Sequence, residues 1–511
     1  MPIFADQPVR PMSSQSFNHS LIQPVPARRW LGAGLLLVAG LRLWRLPQAA
    51  LPDYDSVRNW QIVQEVARFD LSHLFHHGSP AFYLLYAPVV ALTTDYRVFL
   101  VLNALVAVAA LGLFADWVSR VARLPGPETA LLTLVAGSSV FLTFSGRDFT
   151  MSSLSLLLLV LLLRAHWQRL HAPTSGALLR TAAVLALGLS VNYKFLLTVP
   201  ILAVLELQQA DGLAWRGGNW WRVLLLLAAP FVGLGLLAWL VSGVPLYRWP
   251  AVYYVIMFPA AANAAGRRGT LQVDFTYYLR YLTDFEAALL PALGSALVLF
   301  GAGLRRRPLP EGTYLLVWAA CTLAGMSLLI KAPRGLLFGF LPLYALLVLV
   351  LQRVARPPRL LVLLLVLSYH GWQVQRHIYA GLPTRYPQVA RWLRQHQAGP
   401  VATTVGPALL PLAAPLGLRV EVAKTPAELA VLRRRGYRYV LLDDYYRVAG
   451  VAGFDSLRRL PAVASWPEPR LTSALLYLEH SEFTGLGYAA TLQRQRQAAQ
   501  DTVQLRLLRL Q

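Results

Sequence analysis

Pro80-Ala81-Phe82-Tyr83-Leu84-Leu85-Tyr86-Ala87-Pro88-Val89-Val90-Ala91-Leu92 is the stretch on which the fold turns. It is apolar enough to enter a bilayer, yet it is shorter than the roughly 20 residues that a transmembrane helix needs. If it spans, the arginine-bearing connections of the chain scatter to both sides of the membrane. If it lies flat, Arg28 and Arg29, Arg120 and Arg123, Arg164, Arg169 and Arg180 fall on one face. So do Arg216 and Arg222, Arg305, Arg306 and Arg307, and Arg353, Arg356 and Arg359. Short loops rich in Lys and Arg stay cytoplasmic, which favours the flat arrangement. The N-terminus is then cytoplasmic and the C-terminus outside. Arg42 and Arg45, at the outer end of the first span, are exceptions to this pattern.

The rest of the chain fits a membrane setting. Hydrophobic residues make up 56% and charged residues 14%, with a mean hydropathy of +0.48, whereas a soluble domain carries roughly 25% charge. Residues 154–163 and 224–240 are apolar on every helical face rather than along one stripe. Runs long enough to span fall near 31–50, 97–118, 128–145, 150–165, 179–193, 195–209, 223–243, 287–304, 313–330, 336–352 and 359–375. The expectation is a polytopic α-helical membrane protein with about eleven transmembrane helices. Residues 1–29, rich in Pro, Ser and Gln, read as a disordered cytoplasmic tail. Residues 30–376 form the membrane domain, with an outer loop over 51–96, and 31–46 is an uncleaved helix because no clear cleavage site follows it. The formal net charge of +23 does not imply nucleic acid, since the basic residues sit in short loops, where they face anionic lipid headgroups. A single cysteine, Cys321, excludes an intramolecular disulfide.

From residue 385 to 511 the composition changes to that of a small extracytoplasmic α/β domain. Residues 401–405, 418–422 and 437–442 read as strands. Thr425-Pro426-Ala427-Glu428 is a capping box that opens a helix running to Arg435. Seventeen Lys/Arg against nine Asp/Glu do not oppose an outside location, because long domains escape the charge rule. Asp443 and Asp444 read as a solvent-exposed strand end.

Ionisable groups at the surface of so apolar a chain are functional suspects. Asp53 and Asp55, emerging from the first helix, suit a general base or a divalent cation site, and equally suit the cap of the following helix. His73 and His77 have the i,i+4 spacing of metal ligands, or are simply solvated at the interface. Only three of the 47 basic residues are lysines: Lys194, Lys331 and Lys424. Lys194 and Lys331 stand at outer ends of spans, the latter close to Arg334, and Arg147-Asp148 occupies another outer turn. Such cations suit a phosphate or diphosphate group; singly, each also suits snorkelling.

These motifs, in order, resemble the GT-C superfamily of membrane glycosyltransferases, in particular the bacterial branch related to protein O-mannosyltransferases and the lipid A aminoarabinose transferase. The acidic loop motif corresponds to Asp53-Tyr54-Asp55-Ser56, and the Pro-aromatic segment to Gly78-Ser79-Pro80 through Tyr83. The Ser/Ala-Arg-Glu/Asp turn corresponds to Ser145-Gly146-Arg147-Asp148, and the Gly…Lys segment to Gly188 through Lys194. The Pro-Arg-Tyr…Pro segment corresponds to Lys331-Ala332-Pro333-Arg334-Gly335 and Pro342. Two departures stand out: the acidic motif is Asp-Tyr-Asp, and Gly335 replaces tyrosine. The resemblance covers residues 31–352 and leaves the C-terminal domain outside. It implies transfer of a sugar, with inversion, from a polyisoprenyl-phosphate donor to a lipid, glycan or protein acceptor. The setting would be a bacterial inner membrane with the C-terminal domain periplasmic. It makes Asp53 or Asp55 the base, and Arg147, Lys194, Lys331 and Arg334 the donor phosphate site. A divalent cation, if used, would sit on Asp55, Asp148 and His77. A flippase of lipid-linked glycans would instead place ionisable groups at mid-membrane depth in repeated halves, and a scaffold with an outer binding domain would leave the acidic motif dispensable.

Overall fold

Runs of Leu, Ala and Val offer the backbone no water to bond, and a helix satisfies each amide within its own segment. The computed structural model describes residues 25–51, 53–209, 211–257, 271–305, 309–451 and 453–510; the tail expected over 1–24 lies outside the described residues. Four segments are long and apolar enough to cross a bilayer: Tyr96–Val121, Ser152–His171, Arg216–Ser242 and Pro333–Leu351. Two bent pairs raise this to six, Gly126–Gly137 with Val140–Gly146 (67°) and Thr276–Phe285 with Leu289–Leu304 (118°). The expected count of eleven is not reached by this measure. Several apolar runs fold as shorter or broken pieces: Ser175–Val191 has 17 residues, and the 195–209 run divides into a 3-10 turn and a ten-residue helix.

The apolar stretch 80–92 begins as an α-helix, Pro80–Tyr86, continued by a 3-10 turn, Ala87–Ala91. At 1.5–2.0 Å per residue it reaches about 20 Å, short of the ~30 Å hydrocarbon core. Its aromatic face is buried, with Phe82 and Tyr86 packed on Phe149 at ring separations of 5.2 and 5.1 Å, while Leu85 and Leu92 are exposed.

The segment Leu337–Leu351 is the centre of the membrane part, with every residue buried except Val350. At the opposite extreme, Asn219–Ser242 buries only Asn219, Gly235 and Ala238. Arg42, an exception to the charge pattern, is fully buried at the bend between Gly126–Gly137 and Val140–Gly146. Its guanidinium donates to the carbonyls of Leu142 and Gly137, the latter also accepting from the Thr143 hydroxyl at 3.2 Å.

The C-terminal part holds a five-stranded sheet of β1 (Val401–Thr404), β2 (Val420–Ala423), β3 (Tyr439–Asp443), β4 (Ala462–Trp466) and β5 (Leu505–Arg509). The order is β2-β1-β3-β5-β4. β1 runs parallel to β2 and β3, and β5 is antiparallel to β3 and β4. The parallel half matches the expected strands; β4 and β5 were not anticipated. Thr425 caps Pro426–Arg434 through the Glu428 amide, and the Glu428 carboxylate accepts from the Lys424 amide at 2.8 Å. Asp443 and Asp444 correct the expectation of an exposed strand end: they are 0% and 4% exposed. Asp443 accepts from the Tyr386 hydroxyl at 2.7 Å, and Asp444 from Arg458 at 2.9 Å. Leu475, Leu478 and Tyr488 of this part pack into the membrane-side core.

Candidate active site

Asp53 ends the chain's extended entry into the helix Tyr54–Ala67, and its carboxylate accepts from the Ser56 amide at 2.8 Å. It is a helix cap, as one of the two readings of the motif requires. Two residues on, Asp55 stands in the first turn of the same helix and turns the other way. Its Oδ1 lies 3.2 Å from His77 Nε2, and its Oδ2 lies 3.3 Å from Arg334 Nη1. His77 reaches this position through a left-handed backbone (φ 53°), uncommon for a residue with a side chain. Gly78 follows at φ +66°, where a Cβ would sit 2.7 Å from the Tyr253 ring.

Arg334 is the hub. Besides Asp55 it pairs with Glu479 at 3.3 Å and Glu482 at 2.8 Å, and its amide donates to Glu479 at 3.0 Å. Lys194 approaches from the turn after Ser175–Val191, fixed by a bond from its own amide to Asn192 (3.0 Å). Its ammonium donates to the Arg334 carbonyl at 3.3 Å, and it makes no ion pair among the described residues. Burial and the nearby Arg334 charge push Lys194 down to about 8. Burial acts to raise the Asp55 carboxyl, but the charges of His77 and Arg334 hold it well below the usual carboxylate range. Burial pushes Glu479 up to about 7 against the pull of Arg334 and Lys194.

A second acidic group lies beside the first. The Ser56 hydroxyl is 2.5 Å from Asp53 Oδ1 and 2.5 Å from Asp148 Oδ1. One hydroxyl hydrogen cannot serve two ionised carboxylates. Burial and the charge of Asp53 push Asp148 up to about 8, so it carries the second proton at neutral pH. Asn103 and Asn59 fix this turn from behind by donating to the carbonyls of Asp148 and Phe149.

Of the four cations expected together, the structure joins Lys194 and Arg334. Lys331 points elsewhere: its ammonium donates to the carbonyls of Gln272, Met326, Ser327 and Leu329 and so closes the end of Glu311–Leu328. Arg147 donates to the carbonyls of Arg42 and Leu41 and lies 5.0 Å from the Tyr379 ring. Of the three expected cation ligands, Asp55 and His77 meet, but Asp148 faces Ser56. No group of three acidic or histidine ligands able to hold a metal ion occurs among the described residues. His73 pairs with Glu65 at 2.9 Å rather than acting with His77.

Two participants escaped the sequence reading. Glu479 and Glu482 arrive from the C-terminal domain, 145 and 148 residues from Arg334. Tyr278 accounts for Gly335: a Cβ there would lie 2.4 Å from the Tyr278 hydroxyl, which donates to Ala332 O at 3.2 Å. A phenol from another helix thus fills the space beside Arg334.

No protein-family model matches the sequence, and no curated protein matches it. Solved structures do. ArnT from Cupriavidus metallidurans in the apo state aligns with a TM-score of 0.54 at 13% identity, over 86% of this chain and 96% of that one. The Archaeoglobus fulgidus oligosaccharyltransferase in its apo form aligns with a TM-score of 0.50 at 11% identity, over 82% and 70%. Both are GT-C superfamily glycosyltransferases, and the resemblance read from the motifs therefore holds at the level of the fold.

Proposed function

We propose that this chain, a multi-pass membrane protein of GT-C fold, transfers a sugar from a polyisoprenyl-phosphate donor to an acceptor hydroxyl with inversion. The observation that carries the reading is the convergence of an ionised carboxylate, Asp55, with Lys194 and Arg334 beside the ends of apolar helices. A lipid-linked donor dissolves in the bilayer and presents its phosphate at that level. Lys194, which has no carboxylate ion pair among the described residues, is the group that neutralises the phosphate as the bond to the anomeric carbon breaks. Asp55 takes the proton of the attacking hydroxyl from the opposite side. His77 and Arg334 keep that carboxylate ionised at the expense of basicity, so it accepts the proton late, once attack has made the hydroxyl acidic. Arg334 acts by orientation: its fork is held by Glu479 and Glu482 and aims Asp55. Since the cation ligands do not assemble, no step runs through a metal. The charge pattern of the loops supports an extracytoplasmic reaction side in a bacterial inner membrane, with the N-terminus cytoplasmic.

The test is sugar transfer from a labelled polyprenyl-phosphate sugar by the purified chain. Turnover is expected from the wild type and a loss of about 10²–10⁴-fold in Asp55→Asn, the usual worth of a general base. Full turnover in that variant would remove the mechanism, and none with any lipid-linked donor would remove the activity.

A further inference from the structure

A cavity of about 630 Å³ lies where the C-terminal domain meets the membrane part, and four arginines line it: Arg147, Arg376, Arg470 and Arg496. None of Asp53, Asp55, Lys194 and Arg334 does. Elsewhere Arg169 is neutralised by Glu206 and Asp211, and Arg334 by three carboxylates, whereas the buried Arg42 is met by carbonyls. Here, no ion pair forms to any of the four among the described residues. The single carboxylate of the wall, Asp284, accepts instead from the Tyr488 hydroxyl at 2.7 Å.

Arg147 is only 4% exposed, and its Nη2 has no hydrogen-bond partner among the described residues. A buried guanidinium left short of an acceptor, beside further unpaired cations, costs free energy that an anion would recover. A guanidinium fork matches two oxygens of a phosphate. The cavity also adjoins the end of Arg356–His377, whose exposed Leu361, Leu364, Leu365 and Trp372 form a lipid-facing stripe, with Arg376 5.4 Å from the Trp372 ring. That stripe, ending in an aromatic and an arginine, marks the polar boundary of the bilayer.

We infer that this arginine-lined cavity is a binding site for a phosphate group, separate from the Asp55–Lys194–Arg334 centre. Its chemistry suits a phosphomonoester, carried on a lipid headgroup or free in solution. The inference does not depend on the glycosyl-transfer reading, and the experiment keeps the two apart. Binding is measured by calorimetry on the full chain in detergent carrying Lys194→Gln, which removes the ammonium of the Asp55–Lys194–Arg334 centre. The probes are inorganic phosphate, dihexanoyl phosphatidic acid and, as control, dihexanoyl phosphatidylcholine. Saturable binding of phosphatidic acid alone identifies a headgroup site, and binding of both phosphate probes a site for the bare group; either supports the inference. Arg470→Gln with Arg496→Gln is expected to weaken binding at least tenfold, as loss of charge-assisted bonds requires. Arg376→Gln, at an exposed position, gives a smaller loss in the same direction without risk to folding. Absence of phosphate binding, equal binding of the phosphatidylcholine control, or unchanged affinity in variants of unchanged melting temperature would overturn it.

Discussion

Asp55 and Asp53 share a motif and do opposite work, because the helix they open turns one carboxylate to its own amides and the other to Arg334. Lys194 adds a pH dependence whose sign follows from its shift. With its proton held only up to about 8, donor binding is full below that pH and declines above it. Lys194→Arg should abolish this alkaline limb, read as kcat/KM from pH 6 to 10. Asp148 titrates in the opposite sense to most carboxylates. Its folded value near 8 exceeds the unfolded ~3.9, so the folded state holds more protons between these limits and stability falls as pH rises through the window. Asp148→Asn removes that slope. Its melting temperature should match the wild type near pH 4, exceed it progressively up to about pH 8, and hold a constant gain beyond. Asp55, Lys194 and Arg334 were legible as ionisable residues at the ends of apolar runs. The division of labour between Asp53 and Asp55 was not, since spacing alone cannot tell which way each carboxylate turns.

Among elements, the bend at 137–140 shows how an apparent violation of the charge pattern becomes a structural part. Arg42 donates to two buried carbonyls at the bend, those of Leu142 and Gly137. Replacing it with Leu removes both bonds, leaving Gly137 O with the Thr143 hydroxyl alone, and the expected loss is about 1–3 kcal/mol from weakened buried acceptors, read by thermal unfolding in detergent. A neighbouring test concerns the phenol beside Arg334. Gly335→Ala forces the Tyr278 ring away and should lower the melting temperature, with a cost of about 1–3 kcal/mol for overpacking. Tyr278→Phe in the same chain removes the nearest atom and should restore part of it. Helices and the parallel strands were readable because their residues are apolar in long or compact runs. The strand β5 was not: its Leu505, Leu507 and Leu508 alternate imperfectly with arginines. β4 is largely exposed and offers no buried face to detect.

For the whole molecule, the change of composition near residue 385 was visible, but the docking it leads to was not. Glu479 and Glu482 reach Arg334 across that seam, and the Tyr54 amide donates to Tyr445 OH at 3.0 Å. No local pattern could announce contacts spanning 145 to 391 residues. The C-terminal domain is therefore part of the site. Glu479→Gln with Glu482→Gln should lower turnover at least tenfold while membrane insertion is kept, because a buried guanidinium that loses its partners is strongly disfavoured. Retained turnover would make the domain an accessory.

The helix Asn219–Ser242, which buries only three of its residues, has a consequence for how such proteins drift over generations. Most of its side chains answer to hydrocarbon, which accepts Leu, Val, Ile or Phe alike, and so no neighbour selects among them. Saturation mutagenesis should find these positions indifferent to exchange within the apolar alphabet and intolerant of charge. Letters change freely there while the shape persists, and kinship between such chains outlives its trace in the sequence.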